Sequence, residues 1–213
     1  MIIKTVSGGI VAETETGDNC SLSELITRTK NLSGADFRNA NLRGIDFQNT
    51  ICSYACFAGA NLEGARFDDV SCRHANFSRA NLTCATFLYV NCIGADFSSA
   101  DVSAALFRHV TLREAIFHEA ILSTATFRYV DFSNANFTDA KICWRSHDLI
   151  AELLCCNAKS DWERRAIAGL VKISDGWCWD DFLNIPTPQR EWALSVLRKY
   201  VKVNDGAPEI LCV

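Results

Sequence analysis

The twenty residues 95–114 read ADFSS, ADVSA, ALFRH and VTLRE when they are cut into fives. In each quintet the first and third residues are apolar: Ala95 and Phe97, Ala100 and Val102, Ala105 and Phe107, Val110 and Leu112. The cut extends in both directions without an insertion. From Phe37 to Ile142 every fifth residue is Phe, Leu, Cys, Val or Ile, which makes twenty-two quintet centres, and two residues before each stands Ala, Val, Ile or Thr. A helix repeats its apolar residues about every 3.6 positions and a half-buried strand every second one, so neither makes this pattern. A five-residue unit that buries its first and third residues forms one side of a coil, and four such sides close a square coil of twenty.

The twenty-residue period is visible directly. Phe37, Phe57, Phe77, Phe97, Phe117 and Phe137 form one ladder, and Phe47, Phe67, Phe87, Phe107 and Phe127 form a second, ten residues out of phase. Coils that pair backbone to backbone at about 4.8 Å bring such equivalent residues over one another, so opposite sides of the square each carry an aromatic stack. The remaining sides read Leu42, Leu62, Leu82, Val102, Leu122, Ile142 and Cys52, Cys72, Cys92, Leu112, Phe132. On the cysteine side the first residue is Thr50, Val70, Val90, Val110 or Val130 in place of the usual Ala. A larger first residue beside a smaller thiol conserves volume, as close packing requires. With Leu112 and Phe132 that trade relaxes, so the last coils are expected to be wider or more tightly filled.

Long tandem runs of Ala-(Asp/Asn)-(Leu/Phe), as in Ala35-Asp36-Phe37, Ala60-Asn61-Leu62 and Ala95-Asp96-Phe97, resemble the pentapeptide-repeat proteins. The resemblance covers about residues 31–144 and neither flank. It implies an all-β solenoid, a right-handed quadrilateral β-helix. It also implies a function class, since the family includes inhibitors or protectors of DNA gyrase, acidic rods that resemble duplex DNA in shape and charge. Residues 31–144 hold eleven Asp or Glu against nine Lys or Arg, a net charge of −2. A DNA mimic needs a dense surface of one sign, because the duplex carries a negative charge per about 1.7 Å. A protein-interaction scaffold is therefore the first expectation, and a DNA-mimicking inhibitor or protector of DNA gyrase or topoisomerase is the alternative. The mixed surface and overall charge of −4 offer no basic stripe for direct nucleic-acid binding.

The flanks read as caps. In residues 1–30, Ile2 to Thr14 suggest a β-hairpin about Gly8-Gly9, and Ser21-Leu22-Ser23-Glu24 is a capping box opening a helix to about Lys30. An uncovered β-helix end is a template for edge pairing, so a cap is physically required. In residues 145–213 the period changes towards 3.6. Leu149, Ile150, Leu153 and Leu154 share one helical stripe, Ser160 to Glu163 is a second capping box, and Thr187-Pro188 opens a third helix. Trp162, Trp177, Trp179 and Trp192 suggest a separate small aromatic core there. The stretch holding Trp177, Trp179 and Phe182 is the candidate C-terminal interaction site, and homodimerisation through these helices is a further expectation.

Eleven cysteines suggest redox or metal chemistry until the register is applied. Cys52, Cys72 and Cys92 fall at centres, where a thiol acts as a small buried hydrophobe, while Cys56 and Cys84 fall at outward positions. No Cys-x-x-Cys occurs and the four histidines fall at no ligand spacing, so neither metal nor cofactor is expected. Free thiols in that number suit a reducing cytoplasm, and no apolar run approaches a membrane span. No nucleophile is paired with a base by the repeat and no phosphate-cradling glycine loop appears, so catalysis is not expected.

The outward positions carry the functional expectation, an unidentified protein partner. Tyr89, His109 and Tyr129 recur at the last position of their quintets, with Leu88, Arg108 and Arg128 beside them, and Ile93 and Arg113 lie around the next corner. Tyr, Arg and exposed aliphatics are the composition of interface hot spots. Leu106, Ile116 and Ile121 break the polar habit of the second quintet position, which suggests that something covers that end of the rod.

Overall fold

The computed structural model of the chain describes residues 2–13, 21–142, 147–158, 160–173 and 185–200. Residues 31–142 form a right-handed quadrilateral β-helix whose successive coils pair in parallel at an offset of twenty, as in Asn31 with Ile51, Asn61 with Asn81 and Thr111 with Asp131. The quintet Ala60–Gly64 shows how the backbone is satisfied. Ala60 N–H closes a turn onto Phe57 O at 2.9 Å, Asn61 N–H donates to Ala40 O of the preceding coil, and Leu62 and Gly64 N–H donate to Asn81 O and Thr83 O of the next. The fifth donor, Glu63 N–H, is taken by the Asn61 side chain, whose Oδ1 accepts at 3.2 Å. Asp36, Asn41, Asp46, Asn76, Asn81, Asp96 and Asp101 do the same for the residue two positions on. That local bond is the physical reason for Asp or Asn before the centre. The corner two residues after every centre, from Gly34 to Asp139, is left-handed, with φ between 52° and 68°.

The lumen is filled by the two phenylalanine ladders. Phe87 stacks on Phe67 and Phe107 with ring centroids 4.6 Å apart, and meets Phe77 and Phe97 of the opposite ladder edge to face at 6.2 and 6.3 Å. In the last coil Phe132 sits edge-on to Phe117, Phe127 and Phe137, so that end is more tightly filled. Cys52, Cys72 and Cys92 are fully buried, and burial pushes the Cys72 thiol up from its ordinary value. Cys84 is exposed, but Cys56 is not the outward thiol that its position suggests, being only 9 % exposed. It lies in the ladder between Asp36 and Asn76, whose strands flank it on both sides.

Both ends of the rod are covered among the described residues. Strands β1 (Ile2–Lys4) and β2 (Ile10–Glu13) form an antiparallel hairpin. Its first arm continues onto the edge of the first coil, where Asp36 N–H donates to Lys4 O at 2.7 Å and Val6 N–H to Gly34 O at 3.3 Å. Helix α1 (Leu22–Arg28) starts with both bonds of the Ser21–Glu24 capping box, ends short of Lys30, and sets Leu25 and Ile26 into the core. At the other end, α2 (His147–Ala158) packs on the last coil and on α3 (Trp162–Ile173) and α4 (Thr187–Leu197).

Two expectations at that end are corrected. Helix α3 begins one residue later than a Ser160 box would place it, because Asp161 Oδ1 accepts the Arg164 N–H at 3.1 Å and Asp caps as well as Ser. The described apolar residues of α2 and α4, among them Leu149, Leu154 and Leu194, are continuous with the core of the rod and not a separate aromatic one. Trp162 is 75 % exposed, and Trp192 is half-buried with the Arg164 guanidinium 5.2 Å over its ring. Trp177, Trp179 and Phe182 lie outside the described residues.

Two outcomes test this register. Phe87→Ala removes a ring from the middle of both stacking modes and is expected to cost about 3 to 5 kcal/mol, against less than about 0.5 for Arg79→Ala, measured by denaturant or thermal unfolding. In thiol labelling of the native protein Cys84 is expected to react, whereas Cys52, Cys72 and Cys92 react only when the protein unfolds.

Candidate functional site

One side of the rod differs from the others. Strands β3 (Arg66–Asp68), β4 (Thr86–Leu88), β5 (Leu106–Arg108) and β6 (Thr126–Arg128) run as a four-stranded parallel sheet, in register Asp68, Leu88, Arg108, Arg128. The cause lies at the end of the turn that follows each centre. Elsewhere Ala usually closes that turn, with bonds such as Ala60 to Phe57 at 2.9 Å, and the β-branched Ile45 and Thr50 close it at 3.2 Å. At Val70, Val90, Val110 and Val130 the turn opens and the three residues around the preceding phenylalanine run extended. A β-branched residue crowds a tight turn and suits a strand. The missing Asx residue, replaced by Arg66, Thr86, Leu106 or Thr126, removes the competing local bond.

This sheet carries six of the eight rod residues singled out from the sequence. Tyr89, His109 and Tyr129 stack face to face along the corner, Tyr89 on His109 at 4.8 Å and His109 on Tyr129 at 4.7 Å, with planes within 6°. The two tyrosines are 60 % and 63 % exposed, while His109 between them is half-buried. Leu88 is half-buried, and Arg108 and Arg128 are exposed beside the rings. Ile93 and Arg113 belong to the adjacent side, where Ile93 is half-buried and the Arg113 guanidinium lies 3.9 Å from Asp131. On that side, nearer the N-terminal end, Tyr54 stacks on His74 at 5.2 Å. The His74 ring occupies the space that a Cβ on Gly94 would need, so the bare corner at Gly94 is what lets the imidazole lie flat. Leu106 and Ile121 are half-buried and Ile116 is 37 % exposed, so no described residue covers them fully.

Charge along the sheet is graded. The first two coils present Asp46, Arg66, Asp68 and Asp69, a net of −2; the third presents Thr86, Leu88 and Tyr89; the last two present Arg108 and Arg128, a net of +2. Arg66 Nη2 holds Asp68 Oδ2 at 2.8 Å, and the other Asp68 oxygen is buried without a partner. Asp69, at the corner, is exposed. A second feature escaped the sequence reading: a shallow depression of about 450 Å³ on the first phenylalanine side, floored by Ala58, Gly59, Ser78 and Ser98 and flanked by Arg38 and Arg79. Its signal is the run of small residues just after Phe57, Phe77 and Phe97. Among the described residues no group of three or more His, Cys, Asp or Glu is placed to hold a metal ion, and no helix is long and apolar enough to cross a membrane.

The family model described as pentapeptide repeats matches in eight copies, over residues 31–64, 65–103, 91–128 and 105–142. No curated protein matches the chain. Among solved structures it is similar to a pentapeptide repeat protein from the thylakoid lumen of Arabidopsis thaliana, at 30 % identity over 58 % of this chain and 72 % of that one, with a TM-score of 0.37. It is also similar to QnrB1, a plasmid-mediated fluoroquinolone resistance protein, at 19 % identity over 49 % of this chain and 59 % of that one, with a TM-score of 0.32. A third is HetL, involved in heterocyst differentiation regulation in the cyanobacterium Nostoc sp. strain PCC 7120, at 22 % identity over 52 % and 58 % of the two chains and a TM-score of 0.21.

Tyr89, His109 and Tyr129 hold φ of 56°, 54° and 55°, the conformation that Asn39 and Asn49 adopt at 55° and 57°. Asn enters the left-handed region more easily than Tyr. Tyr89→Asn and Tyr129→Asn therefore trade a stacking contact of about 0.5 to 1.5 kcal/mol for relief of backbone strain of similar size. Each is expected to change the stability of the rod by less than about 1 kcal/mol in thermal unfolding.

Proposed function

Because the chain belongs to the pentapeptide-repeat family, we propose that it is a non-catalytic scaffold that presents the β3–β6 face to a partner protein. The observation that carries this reading is the exposed Tyr89–His109–Tyr129 stack beside Arg108 and Arg128, mounted on the one regular sheet of the rod. Tyr and Arg dominate binding energy at protein interfaces because each covers a large area and keeps a polar end. Stacked rings are already ordered, so less side-chain freedom is lost when a partner docks. The free, buried thiols suit a reducing compartment such as the cytoplasm.

A DNA-mimicking inhibitor or protector of gyrase remains the second reading for this family. The graded charge of the sheet counts against it, since a mimic would carry one sign along the whole face.

Affinity capture with the full chain tests the first reading, with Tyr89→Asn/Tyr129→Asn as the paired bait. The double variant keeps its fold and is expected to lose the partner, because truncating central aromatic anchors costs about 2 kcal/mol or more each. Equal capture by both baits would move the binding surface elsewhere on the rod. A DNA supercoiling assay is expected to show no effect of the protein, and inhibition at stoichiometric protein would establish the second reading in place of the first.

A further inference from the structure

We infer that the β3–β6 face pairs with the same face of a second copy of this chain, the two rods antiparallel about a two-fold axis lying along β4. The inference rests on the reading of that face as an interaction surface and names its occupant.

Symmetry decides how the columns of the sheet can meet. Three outward columns run up this side: Arg66, Thr86, Leu106 and Thr126; Asp68, Leu88, Arg108 and Arg128; and, at the corner, Asp69, Tyr89, His109 and Tyr129. A two-fold axis in the plane of the face and parallel to the strands lays each column on itself and reverses the order of the coils. The uncharged third coil then meets itself, Leu88 against Leu88 and Tyr89 against Tyr89. The acidic second coil meets the basic fourth, so exposed Asp69 of each copy faces the Arg108–His109 pair of the other, and the interaction occurs twice, as in any isologous interface. The other way of pairing the face, with the rods parallel about an axis along the middle column, exchanges the two outer columns and sets Arg108 against Arg108 and Arg128 against Arg128. Like charges brought together disfavour that arrangement, so the charge gradient selects the antiparallel one. No comparable match exists for a partner that is acidic or basic throughout, since either would meet its own sign on half of the face.

Size sets the strength. Five coils at about 4.8 Å, with outward columns spread over three residue steps of about 3.3 Å, make a face of about 24 by 10 Å, or about 240 Å², small against the roughly 800 Å² per partner of a standard stable interface, so the pairing belongs to the weak, concentration-dependent class. Its opposite-charge contacts are between exposed residues, so it is expected to weaken as salt is raised.

The test is sedimentation velocity of the full chain from low micromolar to millimolar concentration, for the natural sequence, for Arg108→Glu, for Asp69→Arg, and for an equimolar mixture of the two variants. Arg79 occupies an equivalent corner at φ 59°, so arginine is accommodated at position 69. Thermal unfolding checks that each variant is folded. The natural chain is expected to dimerise, each variant alone to associate about tenfold or more weakly, and the mixture to recover dimer, because one reversed pair then meets its complement and the other remains as in the natural chain. A natural chain that stays monomeric overturns the inference, as does a dimer indifferent to both substitutions or a mixture that fails to recover. If the chain is monomeric while the Tyr89→Asn/Tyr129→Asn bait still loses its captured partner, self-pairing alone is wrong. If that bait also captures as well as the natural one, the interaction surface itself is wrong.

Discussion

The backbone N–H one residue after each centre is the group on which this architecture turns. Four of every five amides have a partner built into the coil: one closes the turn and three reach the coils above and below. The fifth points outward and has none in the backbone. In eleven of the twenty-two quintets an Asp or Asn side chain two residues earlier satisfies it at about 3 Å, without tertiary help, and so supports the turn that squares the coil; Cys56, Ile116 and Ile121 precede the same turn without such a bond. The Asp or Asn of the repeat is thus part of the backbone's hydrogen bonding, and the Phe or Leu that follows it is part of the core. The left-handed corner completes the unit, since it turns the chain through the next side at the cost of backbone strain.

That division explains what could be read in the sequence. Every centre is constrained by the lumen, so the register from Phe37 to Ile142, the paired aromatic stacks and the buried thiols of Cys52, Cys72 and Cys92 were legible from spacing alone. The hairpin and the Ser21–Glu24 box were legible because turn and cap chemistry is local. What escaped depended on neighbours in other coils or on competition between adjacent residues. Cys56 is shielded by the coils on either side of it, which a one-dimensional in/out rule does not see. Asp161 displaced Ser160 as the cap of α3 because two adequate capping residues stood next to each other. The tryptophan-rich C-terminal part read as an independent core, yet its described helices bury Leu149, Leu154 and Leu194 against the end of the rod, since Phe132 and Phe137 would otherwise face water.

The straight side was announced by a substitution whose meaning was only half drawn. Val70, Val90, Val110 and Val130 do offset the small thiols of the following centres, but they also open the preceding turn, and the structure registers the second effect as a sheet. Ile45 and Thr50 show the intermediate case, in which a β-branched residue stretches the turn bond to 3.2 Å without breaking it. The same residues thus decide core volume and surface shape together. A solenoid side made of tight turns is knuckled, whereas one made of strands is flatter and sets its outward side chains in straight columns at the spacing of the coils.

Function is the least constrained layer for the same physical reason. The lumen dictates two residues in five and, in half of the quintets, the amide takes a third, which leaves the position after the centre and the corner to vary. The corner penalises bulky residues modestly and equally wherever it occurs, so the fold alone favours Asn or Gly at all of them, as at Asn39, Asn49 and Gly59. Many corners hold other residues, Arg79, Cys84, Ala104 and Glu114 among them, but only at 89, 109 and 129 do rings recur at three consecutive coils of one column, where they stack in line within 6°. Neither the lumen nor the hydrogen bonding of the coil requires them. A column of rings that the fold does not require, in register and beside a graded charge, is where a rigid scaffold has freedom to encode a partner.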